Sequence, residues 1–452
     1  MALNSDLMRP FCRICCSALL AGSFGLTSAQ VQPGKPNGPI SLDDAIRMAE
    51  ANEPAFAAAL AEGRATALER KDARAALLPS ATLHNQYLFT QSNQTAAVTT
   101  QGGVNESLPV FIANNAIHEY YSQGSATETI GLAQIGAVRL ADANAARAEA
   151  ELEVARRGLV QTVVGLYYGS GAANRKVLVA QAALDEANSF LDITTKRENA
   201  REAAYADVVK ARLGTEQRQR ELEDARLAAA KARLELGVLL FADPSTTYSL
   251  EPPGTPAMLP DRASVETAAK ANNPEIRSAL AGLQVSEAET LNARAALLPD
   301  LSLNVTYGID APQFAKRGPD GALNLGYSAG ATLDIPVWDW LTSERKVKEA
   351  KLRGEAAKAT LTNAQRRLIA NLAEFYDEAD VARRQLASLD ASVADARESL
   401  RLTNLRYVNG EGTVLEVVDA QNTLISAENG QADGVVRYET ALAQLETLTG
   451  RL

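Results

Sequence analysis

The chain has 452 residues, a formal net charge of −10, and 46% hydrophobic but only 5% aromatic residues. Its acidic balance excludes nucleic acid as a natural partner, and the lack of a Pro- or Ser-rich linker argues for one unit, not a string of globules. Scarce aromatics beside abundant Ala, Leu, Glu, Arg and Gln predict extended helices packed along narrow seams.

Residues 1–29 read as a signal peptide, with Arg9 and Arg13 ahead of the apolar run 14–26 and small Thr27 and Ala29 at a cleavage-type position. Cys12, Cys15 and Cys16 all fall inside it, so the mature chain 30–452 is expected to hold no disulfide, no Cys-ligated metal and no acylated N-terminal cysteine. Losing Asp6, Arg9 and Arg13 makes the chain one unit more negative. No later apolar run is long enough for a membrane helix, so a membrane crossing would require a closed β-barrel.

The first predicted helix starts after Ser41, a capping residue followed by Asp43 and Asp44, and runs to Pro79. An alternating strand follows at 82–90. Residues 91–115, rich in Gly, Thr, Gln and Asn, read as a surface loop. A less regular second strand lies between Ile117 and Leu132. A proline-free helical stretch then covers 137–197 and would reach about 90 Å at the helical rise, before a turn and a returning helix at 205–240.

The same order then recurs. Ser264 is the expected cap of a helix that stops at Pro299, and Leu303, Val305, Tyr307 and Ile309 alternate with Ser302, Asn304, Thr306 and Gly308. A second alternating run spans 325–335, a length suited to a tilted membrane strand. Helices are expected at 341–407 and 413–448.

The recurrence is also literal. The segment Ala-Arg-Ala-Ala-Leu-Leu-Pro occupies 73–79 and again 293–299, Pro54 pairs with Pro274, Tyr167 with Tyr376, Arg197 with Arg406, and Val208-Val209 with Val417-Val418. So long a period marks two duplicated halves, about 41–250 and 264–450, and not a solenoid.

The duplicated Leu-Leu-Pro stop before a strand, the run 333–339 (Leu-Asp-Ile-Pro-Val-Trp-Asp) where a strand yields to a helix, and the run 406–421 (Arg-Tyr-Val-Asn-Gly-Glu-Gly-Thr-Val-Leu-Glu-Val-Val-Asp-Ala-Gln) resemble the TolC-type outer-membrane efflux proteins over nearly the whole mature chain. In the first half the corresponding strand-to-helix turn reads Ala133-Gln134-Ile135 and lacks the usual proline. The resemblance implies a mainly α fold with a small β part: a trimeric outer-membrane β-barrel, four strands per protomer, continued by a periplasmic α-helical barrel. Four strands cannot close a barrel alone, since the smallest has about eight, so assembly is required on physical grounds as well.

As implied function, the chain is the passive outer-membrane conduit of a tripartite efflux or secretion system. Its partners would be two further copies, a periplasmic adaptor, a proton- or ATP-driven inner-membrane pump and outer-membrane lipid. Drugs, metal ions and polypeptides stay open as cargo. A periplasmic coiled-coil adaptor or scaffold is the rival reading, though such a protein needs no amphipathic strands. No enzyme or cofactor is expected: His84 and His118 are the only histidines, neither has a ligand-spaced partner, and no phosphate loop or nucleophile elbow occurs.

Leu303, Val305, Tyr307 and Ile309 are expected to face lipid. The helical reversals, with Arg197, Arg406, Gly410 and Gly412, are the expected adaptor contact. The resemblance places acidic Glu416 and Asp419 at the narrow periplasmic entrance, with Asp207 in the first half, and makes Tyr407 a latch whose usual arginine partner is replaced by Gly412. Glu416 and Asp419 stand three apart and so share a helix face.

Overall fold

The computed structural model describes residues 38–450 except 90–117, 253, 255 and 320. The expected signal peptide with its three cysteines and the whole of the expected 91–115 loop lie outside the described residues. Twelve elements follow one order twice: helix α1 (Leu42–Asn52), helix α2 (Pro54–Ala75), strand β1 (Ser80–Phe89), strand β2 (His118–Ile130), helix α3 (Leu132–Asn199), helix α4 (Tyr205–Leu240), then α5 (Arg262–Asn272), α6 (Pro274–Ala295), β3 (Asp300–Ala311), β4 (Leu325–Asp334), α7 (Thr342–Val408) and α8 (Val414–Thr449).

Each half thus begins with two helices where one was expected. Pro54 and Pro274 cause the break: proline has no N–H for the preceding turn and pushes the residue before it out of the helical region. Glu53 and Asn273 are accordingly extended, with ψ of 117° and 124°. Each then caps the next helix, Asn273 accepting from the Ile276 N–H at 2.9 Å.

Ser41 caps α1 as expected, accepting from the Asp44 N–H at 3.2 Å. Ser264 does not cap α5. Asp261 does, accepting from the Ala263 N–H at 3.1 Å, and Ser264 instead donates to the Asp261 carbonyl at 2.7 Å. Residues 133–135 form no turn either. They are the first turn of α3, and Gly131 alone, in extended conformation, connects β2 to it, at a position where a side chain would strike the Asp300 carboxylate.

The two long helices contain 68 and 67 residues, about 100 Å each at 1.5 Å per residue. No helix among the described residues is long and apolar enough to cross a membrane. The strands form one antiparallel sheet in the order β1-β2-β3-β4. Residues directly opposite share a face, so the register sorts the sheet into two surfaces. Leu83, Val305, Tyr307, Ile309, Leu325, Tyr327, Ala329 and Leu333 lie on one. On the other lie Thr82, Ser125, Thr306 and Ser328, whose hydroxyls bond in pairs at 2.7 and 2.6 Å.

Each half keeps its own apolar centre where its short helix packs on the long pair. Ile40, Ala45, Leu159, Val163, Tyr167, Leu236 and Leu240 build the first, and Val265, Leu368, Leu372, Ala441 and Leu445 the second. Matched residues do matched work here. The Tyr167 hydroxyl donates to the Ile40 and Glu251 carbonyls, both at 3.1 Å, and its counterpart Tyr376 donates to the Pro260 carbonyl at 3.3 Å.

Candidate functional site

The helical pairs reverse at residues 200–204 and 409–413, farthest along the chain from the sheet. In the second reversal the Gly410 N–H bonds the Tyr407 carbonyl at 3.0 Å and the Glu411 N–H bonds the Arg406 carbonyl at 2.9 Å, which ties off carbonyls that a helix end leaves unpaired. Gly410 needs its glycine for conformation, with φ at +81°. Gly412 does not adopt a positive φ. It needs space, since a Cβ there would sit 3.1 Å from the Tyr407 nitrogen. The matching position to Gly410 in the first reversal is Arg201, also left-handed at φ 63°, a conformation costly for a residue with a side chain.

Tyr407 is buried at this end in a cluster with Phe190, Ala211, Val414 and Val417. Its hydroxyl bonds the Thr194 Oγ1 at 3.1 Å and its ring lies 4.9 Å from that of Phe190. An arginine reaches Tyr407 from the other half of the chain. Arg197 lays its guanidinium 4.9 Å from the Tyr407 ring centroid and donates through Nη1 to the Tyr407 backbone carbonyl. A cation at a helix C-terminus over an aromatic face is favoured twice, by the dipole and by the ring quadrupole. Arg197 is therefore turned into the structure, with its side chain 17% exposed, and also lies 3.7 Å from Glu202. Sequence reasoning placed it among the expected adaptor contacts. The available signal was the spacing of Phe190, Thr194 and Arg197, which puts all three on one face of α3.

Arg406 is the exposed arginine of the pair. It bridges to Glu416 at 3.2 Å and donates to the Glu411 carbonyl at 3.1 Å. Glu416 and Asp419 both point to solvent while Val417 and Ala420 between and beside them are buried. The two acids are not equivalent. Glu416 carries Arg406 as a counter-ion, whereas Asp419 forms no ion pair among the described residues. Asp207, in the first half, stands 3.9 Å from Lys210. Thr413 caps α8, accepting from the Glu416 N–H at 3.3 Å. Farther up, polar links between the halves continue, with Asn404 donating to Glu186 at 2.7 Å and Lys176 paired to Asp433 at 2.7 Å.

At the sheet end, Leu303, Val305 and Tyr307 are exposed and Ile309 is half-buried, all on the apolar face. His118 bonds the Tyr87 hydroxyl through Nδ1 at 2.7 Å, and His84 meets the Tyr121 ring edge-on at 5.3 Å. No group of metal-ligating side chains occurs among the described residues.

The sequence profile of the family described as outer membrane efflux protein matches residues 267–451. Protein CyaE of Bordetella pertussis is 25% identical over 326 residues, which cover 71% of this chain and 68% of CyaE. The pyoverdine export outer membrane protein OpmQ of Pseudomonas putida is 27% identical over 409 residues, covering 86% and 82% of the two chains. The solved structure of the outer-membrane channel OprN has the same fold, with a TM-score of 0.75 at 21% identity over 90% of this chain and 89% of that one.

Proposed function

We propose, from the match of its second half to the outer membrane efflux protein profile and its likeness to outer-membrane channels, that the chain is an outer-membrane channel component and works as a homotrimer that receives cargo from a periplasmic adaptor and an inner-membrane pump and conducts it passively outward. The observation that carries this reading is the continuity of a four-stranded sheet, apolar on one face and hydroxyl-lined on the other, with helices of about 100 Å. Three such sheets would close a twelve-stranded barrel with lipid against Val305 and Tyr307 and water against Thr306 and Ser328.

In this reading Asp419, Glu416 and Asp207 line the periplasmic entrance, where rings of like charge admit cations and repel anions. Their charge is graded, because Arg406 offsets Glu416 while Asp419 is left bare. Tyr407 and Arg197 clamp the two reversals of one protomer to each other, and so hold the entrance narrow. Exposed Arg406 and the Gly410 turn are offered to the adaptor; Arg197, being covered, supports that surface from behind. No chemistry is required of the protein. Membrane fractionation tests the proposal: an SDS-resistant trimer in the outer membrane is expected, and recovery as a soluble periplasmic monomer would favour a coiled-coil scaffold instead.

A further inference from the structure

The second junction between sheet and helix is built unlike the first. β2 passes into α3 through Gly131 alone, whereas residues 335–341 lie between β4 and α7. In the register that matches Arg197 with Arg406, Thr129 and Gly131 of the first repeat give way to Trp338 and Trp340. Asp339, between the two tryptophans, accepts from the Ser343 N–H at 2.7 Å and so ties the segment to the start of α7. The indole rings meet edge-on with centroids 5.8 Å apart. Both stand out from the protomer, Trp338 at 68% and Trp340 at 76% exposure, beside Val337 at 88%. Trp340 and Leu341 hold φ at 59° and 62°, a left-handed conformation that is costly for bulky residues and that marks places where a side chain serves something other than folding.

This patch continues a surface already described. Asp334, the last residue of β4, pairs with Asp300, the first of β3, so 335–341 leave the sheet at its helical end. Leu333 is exposed on the apolar face, and exposed Ile335 and Val337 prolong that apolar run. Basic residues follow at once. Residues 342–353 hold five of them against two acidic ones, in a chain whose net charge is −10, while the matching stretch 133–144 holds only Arg139 and Asp142. Arg353 is paired with Glu349 at 2.6 Å. The side chains of Lys346, Lys348 and Lys351 are exposed and form no ion pair or hydrogen bond among the described residues, and exposed Arg345 reaches only the Thr342 hydroxyl, at 3.4 Å.

Aromatic rings at the edge of an apolar wall, with unpaired cations just beyond them, follow the order of layers at a membrane surface: acyl chains, then glycerol and carbonyl groups, then phosphates. Resting on the barrel reading, which turns the apolar sheet face to lipid, we infer that residues 335–351 are a lipid anchor. Trp338 and Trp340 seat in the interfacial layer of the leaflet on the helical side, and Arg345, Lys346, Lys348 and Lys351 gather anionic phospholipid headgroups there. The occupant is lipid and not a second copy of the chain because the aromatic segment extends the same face that meets acyl chains. A trimer carries three such anchors, all from the second repeat.

Trp338 and Trp340 are the only tryptophans in the chain, so the emission of the unlabelled full-length protein reports on this segment alone. The test reconstitutes the protein in phosphatidylcholine vesicles, confirms insertion by flotation, and replaces a fixed share of the lipid with phosphatidylcholine or phosphatidylglycerol brominated on the acyl chains. Blue-shifted emission and quenching are expected, with phosphatidylglycerol preferred about fivefold, the effect of one cation at a charged surface. High salt should bring that preference close to one, as should the combined variant Arg345→Gln, Lys346→Gln, Lys348→Gln and Lys351→Gln. Inserted protein that no brominated lipid quenches would have its tryptophans against the next protomer or in water, which overturns the anchor. Equal quenching of the parent by the two lipids, or a preference that survives in the combined variant, would overturn the anionic recognition. Protein that does not float with the vesicles would overturn the inference together with the barrel reading.

Discussion

Removing the Arg197 side chain, as in Arg197→Ala, tests the clamp between the two reversals. The guanidinium makes a charge-assisted bond to the Tyr407 carbonyl in a largely covered site, about 1.5–3 kcal/mol, and a cation–π contact with the ring, about 0.5–1 kcal/mol. The ion pair to Glu202, whose side chain is 63% exposed, adds little. Taking the lower end, because the two terms share one group, the loss is about 2 kcal/mol, or roughly a 30-fold shift toward separated reversals. The conservative Tyr407→Phe deletes only the bond to Thr194 and should shift the balance by about 1 kcal/mol. Single-channel recording in planar bilayers reads this directly, with Arg197→Ala expected to show a larger or more often open conductance than Tyr407→Phe, and both to exceed the parent. An Arg197→Ala trimer with parental conductance and parental open probability would refute the clamp.

On the sheet, Val305→Arg should cost about 2–4 kcal/mol near the membrane midplane and reduce trimer recovered from the outer membrane, whereas Thr306→Arg on the polar face should be recovered better; equal recovery of the two would contradict the assignment of faces. Gly410→Ala places a side chain at φ +81° and should cost about 1 kcal/mol or more, seen as a lower melting temperature of the helical part, because its Cβ also meets the Arg197 guanidinium at 3.4 Å. Glu439 and Glu446 of α8 have their carboxyls raised by burial, and burial with the nearby Glu439 charge lifts the Tyr168 hydroxyl to about 12. A carboxyl raised in the folded state binds its proton more tightly there, so its stabilising contribution is full below the unfolded carboxylate range and fades as pH rises through the raised value. Glu439→Gln should therefore stabilise the protein at neutral pH and flatten the gain otherwise seen on acidification toward pH 5, as followed by thermal melts across that range.

Much of the architecture was legible because it rests on local physics. Period-two alternation marked β3 and β4, the absence of proline marked the two long helices, and the literal repeat of residues 73–79 at 293–299 announced the duplication. The misses are where a local rule had two answers. Ser264 and Asp261 are both good caps, and the chain uses the one directly after Pro260. Pro54 and Pro274 split helices whose apolar pattern runs on across the break. The inward turn of Arg197 was not legible for a different reason: its direction depends on where the end of α7 arrives, some two hundred positions later in the chain, and no window of sequence contains that. The same holds for Glu416, whose partner Arg406 lies across a reversal and so outside any helical spacing rule.

The most direct test of the account is ion selectivity of the purified trimer in planar bilayers with salt gradients, comparing the parent with Asp419→Ala, Glu416→Ala and the double variant. An open, cation-selective channel is expected, weakened more by Asp419→Ala than by Glu416→Ala because only Glu416 carries a counter-ion, with the trimer intact in all four. No conductance from the parent, or selectivity unchanged in the double variant, would contradict an acidic entrance to an outer-membrane conduit.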